Sequence, residues 1–187
     1  MKIYQSTLQD VYIIEPEVFH DERGYFFESF NAHDFESTLS KIEFVQDNEA
    51  CSQYGVVRGL HYQIEPFAQS KLVRVVEGCV LGVAVDIRVN SPNFKRYHAI
   101  ELSAENKKQL FIPKGFAHGY VVLSESAVLL YKVDNYYSKD HERGICYDDL
   151  DLQIDWRIES SAIKISEKDA GLPDLKNAEL FNEPFIV

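Results

Sequence analysis

Apolar and polar positions alternate in short runs along most of this chain, with turn residues between the runs. Residues 3–14 are rich in β-formers, end on Val11, Ile13 and Ile14, and stop at Pro16. Residues 19–24 read as a turn, and residues 25–30 as a strand with aromatics on both faces. The period then changes. Asn31 is an N-cap with Asp34 three residues on, and Phe35, Leu39 and Ile42 follow at helical spacing. That pattern predicts a helix from about residue 32 to 40. Alternation resumes at Phe44 and predicts strands over 44–51 and 55–62, with Gly59 marking a bulge or a close approach of backbones. Residues 72–76 and 79–88 read as a hairpin through Glu77 and Gly78. Further strands are predicted over 97–102, 109–112, 119–123 and 127–133. Ser166, Glu167, Lys168 and Asp169 open a short helix ahead of Pro173.

Many short strands at roughly 8–12-residue spacing indicate an all-β sandwich or barrel. An α/β fold needs helices between its strands, and the middle of this chain offers none. At 187 residues the expectation is one domain, residues 1–187. Its barrel core spans about 44–134, with N-terminal strands and a helix in 1–43 and a mixed segment in 135–187.

Thirty acidic residues against nineteen basic ones leave a net charge of −11, with no Lys/Arg run. Nucleic-acid binding is not expected of such a chain. A few local cations suffice to hold a diphosphate, and Arg23, Arg58, Lys71 and Arg74 are available. There is no apolar leader segment and no apolar run of roughly 18 residues, so neither a secretory signal nor a membrane span is expected. Cys51, Cys79 and Cys146 are odd in number and lack metal-like spacing, which suits a reducing cytoplasm.

Two stretches hold chemistry. GVVRGLHYQIEPFAQSK (55–71) gathers Arg58, His61, Tyr62 and Lys71. IPKGFAHGYVVLSESAVLL (112–130) adds His118 and runs into Tyr131 and Lys132. The plain alternative is a pair of strands and a loop that carry polar residues. His20, His33 and His141 stand beside acids, where a surface role is the default, whereas His61 and His118 lie in glycine-punctuated strands. No H-x-H pair occurs, so a jelly-roll metal site is not expected. A His titrates near neutrality and suits proton abstraction from carbon. If the substrate is a carbonyl compound, the product is an enolate, which fixed cations such as Lys71 and Arg58 stabilise by on the order of 10²–10³ in rate each. Tyr131 is either the acid that returns a proton or an aromatic plug at the barrel mouth. Asp169 is either the third residue of a capping box opened by Ser166 or the carboxylate that orients the base.

The segments DERGYFFESF (21–30), FVQDNEACSQYGVVRGLHYQ (44–63), QSKLVRVVEG (69–78), VAVDIR (83–88), QLFIPKGFAHGY (109–120), YK (131–132) and YDDLDLQIDW (147–156) closely resemble the dTDP-4-dehydrorhamnose 3,5-epimerases. These are metal-free, cofactor-free members of the cupin jelly rolls. The resemblance implies an all-β jelly roll with a few short peripheral helices. It implies conversion of dTDP-4-dehydro-6-deoxy-D-glucose to dTDP-4-dehydro-L-rhamnose. His61 matches the proton acceptor, Asp169 its partner, Tyr131 the proton donor, and Lys71 and Arg58 the groups around the C4 oxygen and the sugar. Arg23, Phe26, Glu28, Gln46, Asn48, His118, Glu142 and Lys168 match ligands of the nucleotide diphosphate or sugar. Tyr137, with Tyr136 beside it, lies where an aromatic stacks on thymine. The family is a homodimer whose N-terminal strand reaches the partner, so Arg23 and Glu28 are expected to serve the neighbour's site. Ser70, Lys114 and Tyr147 depart from the usual residues. They leave room for a relative that inverts only C3 or only C5 of the same type of dTDP-4-keto sugar, and a non-catalytic nucleotide-sugar binder is a third reading.

Overall fold

The alternating runs pair into two antiparallel sheets that face each other. The computed structural model describes residues 1–39 and 41–182. One sheet has six strands in the order β1 (Lys2–Gln5), β2 (Tyr12–Glu15), β10 (Gln109–Ile112), β7 (Lys71–Glu77), β12 (Ser126–Val133) and β5 (Gln46–Gln53). The other has five, in the order β13 (Glu142–Gly144), β6 (Val57–Gln63), β11 (Phe116–Val122), β8 (Cys79–Asp86) and β9 (Tyr97–Ser103). This is the cupin-like jelly roll. The first sheet recruits residues 2–15 from outside the 44–134 stretch.

Alternation along each strand sorts side chains between the interior and the outer faces. Ile13, Val73, Val75, Leu110, Ile112 and Leu129 from the six-stranded sheet meet Ala84, Leu102, Phe116, Tyr120 and Val122 from the other. The outer face of the five-stranded sheet is covered by the C-terminal segment through Ile145, Leu152, Trp156 and Leu175. The outer face of the six-stranded sheet is covered by Phe35 and Leu39, which pack on Ile14, Leu72 and Phe111.

The differences from the sequence reading have physical causes. Residues 3–14 form two strands paired with each other, because residues 6–11 make a loop closed by the Ser6 N–H donating to the Val11 carbonyl at 2.8 Å. The predicted strand over 25–30 is short. Only β4 (Gly24–Phe26) pairs, with β3 (Phe19–Asp21), and Phe30 turns away to pack on Phe35 and Phe44 with ring centroids 5.0 and 5.4 Å apart. Helix α1 covers Ala32–Thr38, and Asn31 caps it by accepting from the His33 N–H. Ser40, the expected end of that helix, lies outside the described residues. The expected hairpin through Gly78 does not form. β7 and β8 belong to different sheets, and the chain crosses between them at Gly78, whose φ of +72° and contact with the Ser126 carbonyl exclude any side chain.

Candidate active site

The site is built around an irregularity in β6. Opposite β11, His118 pairs with His61 and Tyr120 pairs with Arg58, so three steps on one strand answer two on the other. This bulge sits at Gly59 (φ +122°), where a Cβ would come within 2.6 Å of the Gly119 Cα and 2.7 Å of the His118 carbonyl. Regular alternation would send Arg58 and His61 to opposite faces. The extra residue brings both beside His118 and Tyr120, whose rings lie 6.4 Å apart.

Asp169 comes from helix α2 (Glu167–Ala170), more than a hundred residues on. The structure gives Asp169 one contact at the helix cap, through its backbone, and others at His61 and Gly59, through its side chain. Its backbone N–H donates to the Ser166 Oγ at 3.1 Å, which caps the helix. Its buried carboxylate meets His61 Nε2 at 2.7 Å through Oδ1 and accepts the Gly59 N–H at 3.3 Å through Oδ2. Burial alone would raise the Asp169 pKa, but the bonds from His61 and Gly59 outweigh it and hold the group below its ordinary value. An ionised carboxylate only accepts, so it selects the tautomer with the proton on Nε2 and leaves Nδ1 as a lone pair.

Lys71 begins β7 on the facing sheet. The residue as a whole is partly buried, and burial pushes its pKa down to about 8 against the opposing pull of Glu142. His118 is buried, and its Nε2 has no hydrogen-bond partner among the described residues. Burial, then Lys71 and His61, drive its pKa well below the usual value, so it is neutral. An uncharged ring with an open nitrogen is fitted to meet a polar substrate atom.

Tyr131 stands on β12, across the interior from His61. Burial raises its pKa, as does the neighbouring phenol of Tyr120, while Arg58 opposes. The Arg58 Nε donates to Ser52 Oγ at 3.0 Å. At the rim, the Gln46 Nε2 donates to Asn48 Oδ1 at 2.8 Å, and the Tyr137 N–H donates to Gln46 Oε1 at 3.3 Å. Glu142 accepts from the Tyr137 hydroxyl at 2.8 Å and pairs with Lys168 at 2.6 Å. Tyr136 instead is 62% exposed and is engaged through its backbone, its N–H donating to Asn135 Oδ1 and its carbonyl accepting from Gln63. Of the two phenols it is therefore Tyr137 that meets the site residues.

The fold leaves some expected residues outside. Arg23, Phe26 and Glu28 are exposed, Arg23 and Phe26 on the β3–β4 hairpin and Glu28 just beyond it. Arg23 pairs with Asp21, and Glu28 accepts from Asn31. Arg74, considered for a diphosphate, shares the outer phase of β7 with Leu72 and lines a small surface cleft with Asp47 and Lys132. Ser52 and Tyr120 were not singled out from the sequence. Period-two alternation from His118 would have pointed to Tyr120.

The family model for dTDP-4-dehydrorhamnose 3,5-epimerase matches residues 5–177. The chain belongs to that family. It is 50% identical over 182 residues to the dTDP-4-dehydrorhamnose 3,5-epimerase of Shigella flexneri, covering 97% of this chain and 99% of the relative. The crystal structure of a Legionella pneumophila dTDP-6-deoxy-D-glucose-3,5-epimerase in complex with dTDP-4-keto-L-rhamnose superposes with a TM-score of 0.94 at 44% identity. It covers 98% of this chain and 99% of that one. A 3'-monoepimerase from Streptomyces bikiniensis, in complex with dTDP-quinovose, shares the fold at a TM-score of 0.85 but only 29% identity, over 91% of this chain and 86% of that one.

Proposed function

We propose that this member of the epimerase family inverts both C3 and C5 of dTDP-4-dehydro-6-deoxy-D-glucose, without a cofactor. The observation that carries this reading is that a histidine held by a carboxylate and a phenol stand on opposite sheets, with a lysine whose charge is felt at the adjoining His118. The C4 ketone acidifies the protons at C3 and C5 alike. His61, through the Nδ1 that Asp169 leaves free, takes a proton from one face of the sugar. Lys71 stabilises the enolate oxygen, and Tyr131 returns a proton to the other face. The substrate class also draws support from the Legionella relative, whose ligand is a dTDP-4-keto sugar. Identity of 50% to a 3,5-epimerase against 29% to a monoepimerase favours two inversions over one. Incubation with this substrate in D₂O is expected to place deuterium at both carbons by NMR. Label at one carbon only would establish a monoepimerase, and binding without label would leave a non-catalytic module.

The same reading extends to a homodimer. The β3–β4 hairpin exposes Phe19 (56%), Tyr25 (57%) and Phe26 (68%) and carries Arg23 away from its own interior. We place Arg23, Phe26 and Glu28 in the partner's site. Arg23→Ala and His61→Ala proteins, each weak alone, are then expected to complement when mixed. Mixed dimers hold one intact site, and random exchange gives roughly a quarter of wild-type activity. Failure to complement under conditions of subunit exchange would remove the shared site. No helix among the described residues is long and apolar enough to cross a membrane, and Cys51, Cys79 and Cys146 are free thiols. The free thiols support a cytoplasmic setting.

A further inference from the structure

Two inversions by one acid–base pair create a book-keeping problem for protons. After the first inversion His61 holds a proton it did not have, and Tyr131 has become a phenolate. A second inversion requires both to be reset. His61 lies at a partly open wall and can release its proton to water. Tyr131 is also only partly buried, but its inner side packs against the core cluster that contains Tyr120, which offers it an internal supply.

The interior behind Tyr131 holds titratable and hydroxyl groups that the reaction as described does not use. Tyr120 is buried (5% exposed), and its hydroxyl lies 3.5 Å from Ser52 Oγ, itself buried at 6%. Ser52 Oγ accepts the Arg58 Nε–H at 3.0 Å, which leaves the serine's own hydrogen free to donate to Tyr120. Arg58 is exposed, so the chain of groups runs from a buried phenol to a residue in contact with solvent. It also crosses the interior, since Ser52 lies near the end of β5 in the six-stranded sheet while Arg58 and Tyr120 pair across β6 and β11 in the other. An apolar Phe would fill the Tyr120 position equally well if only packing were needed. The phenol carries a hydroxyl into a buried place and finds there a serine tied to the Arg58 cation, and Arg58 itself close by. Charge on Tyr120 is also felt at Tyr131, and that of Arg58 at both.

We propose that Tyr120 and Ser52 form a proton relay that reloads Tyr131 between the two inversions. Tyr120 is a positioning residue, since it acts through Tyr131. The Tyr120 O–H bond breaks and its proton goes to the Tyr131 phenolate oxygen. Ser52 passes its hydroxyl proton to the Tyr120 oxygen and takes one from water. The Arg58 guanidinium steadies the negative charge while it lies on Tyr120 or Ser52. His61 returns its proton to solvent, so one proton enters and one leaves per cycle, with no net change in the protein.

The inference rests on the two-centre reading, and the test separates them. Wild type, Tyr120→Phe and Ser52→Ala proteins would be mixed in excess with dTDP-4-dehydro-6-deoxyglucose in D₂O, quenched over time and read by NMR. Wild type is expected to label both carbons in close succession. In both variants the first exchange is expected at the wild-type rate, and the second is slowed on the order of tenfold or more, so singly labelled sugar accumulates. Added imidazole buffer, a small diffusible acid, is expected to restore the second exchange. A merely structural role would slow both exchanges together, leave imidazole without effect, or lower the melting temperature alone, and each of those results overturns the relay. Wild-type protein that labels one carbon or none would overturn the two-centre reading itself and with it the need for a relay.

Discussion

His61→Ala is expected to lower turnover by roughly 10²–10⁴-fold while the fold persists. The size follows from the role. In the proposed cycle, among the described residues only the His61 imidazole has one nitrogen fixed by a buried carboxylate, at 2.7 Å, which leaves the other as a lone pair. Removing it leaves no other neutral base in its position. His118 pairs with His61 on the adjacent strand, but has no carboxylate partner among the described residues. The fold should tolerate the change, because the His61 side chain is 26% exposed and the bulge that seats it depends on Gly59. Asp169 would keep its bond from the Gly59 N–H and lose the one from His61, a loss of about 1 kcal/mol in stability by the usual range for such changes. Single-turnover exchange in D₂O and thermal melts check the two halves separately. Wild-type exchange in the variant would remove His61 as the base.

Lys71→Met is expected to abolish useful activity, by on the order of 10²–10³, and at the same time to raise the melting temperature near pH 7. A charged ammonium held away from water, felt at His118 and opposed only partly by Glu142, works against folding. Its pKa of about 8 in the folded protein lies below the 10.5 of an ordinary lysine. Between those values the unfolded chain binds more protons than the folded one, so stability rises with pH across that window. Below about pH 8 the full cost is present; above about 10.5 it has gone. Methionine fills the stem's space without the charge, and each 1 kcal/mol relieved moves the midpoint by roughly 2–4 °C in a chain of this size. The gain over wild type should therefore shrink between pH 7 and pH 10. A variant less stable than wild type at both values would show that Lys71 is paired rather than strained. The combination of lost activity and gained stability is what a charge kept for catalysis predicts.

The class of fold was legible in the chain because it depends on local patterning. Period-two runs and their turn residues declare strands whatever lies opposite, and the caps at Asn31 and Ser166 declare helices within one turn. The pairing of strands was not legible in the same way. Glu77 and Gly78 look like a hairpin turn from inside the chain, yet β7 and β8 part into different sheets whose inner faces share one core, while Leu72 on the outer face of β7 and Leu81, Val83 and Val85 on that of β8 are covered by different segments.

The site divides along the same line. Residue types and spacing named His61, Lys71 and Tyr131 as chemistry-bearing, and the family resemblance assigned their roles. Gly59 was marked from the sequence as a bulge or close approach, and it is both. What the chain by itself determined is the set of groups and the strands that carry them, since both follow from neighbours within a few residues. Only the tertiary structure decided which of them meet. It joined Asp169 to His61 across 108 positions, turned Arg74 outward with the phase of β7, set Arg58 over Ser52 and Tyr120, and carried the Arg23 hairpin away from its own barrel. Those outcomes depend on sheet order, on one extra residue in a bulge and on faces buried at a distance, none of which has a local signature in the sequence.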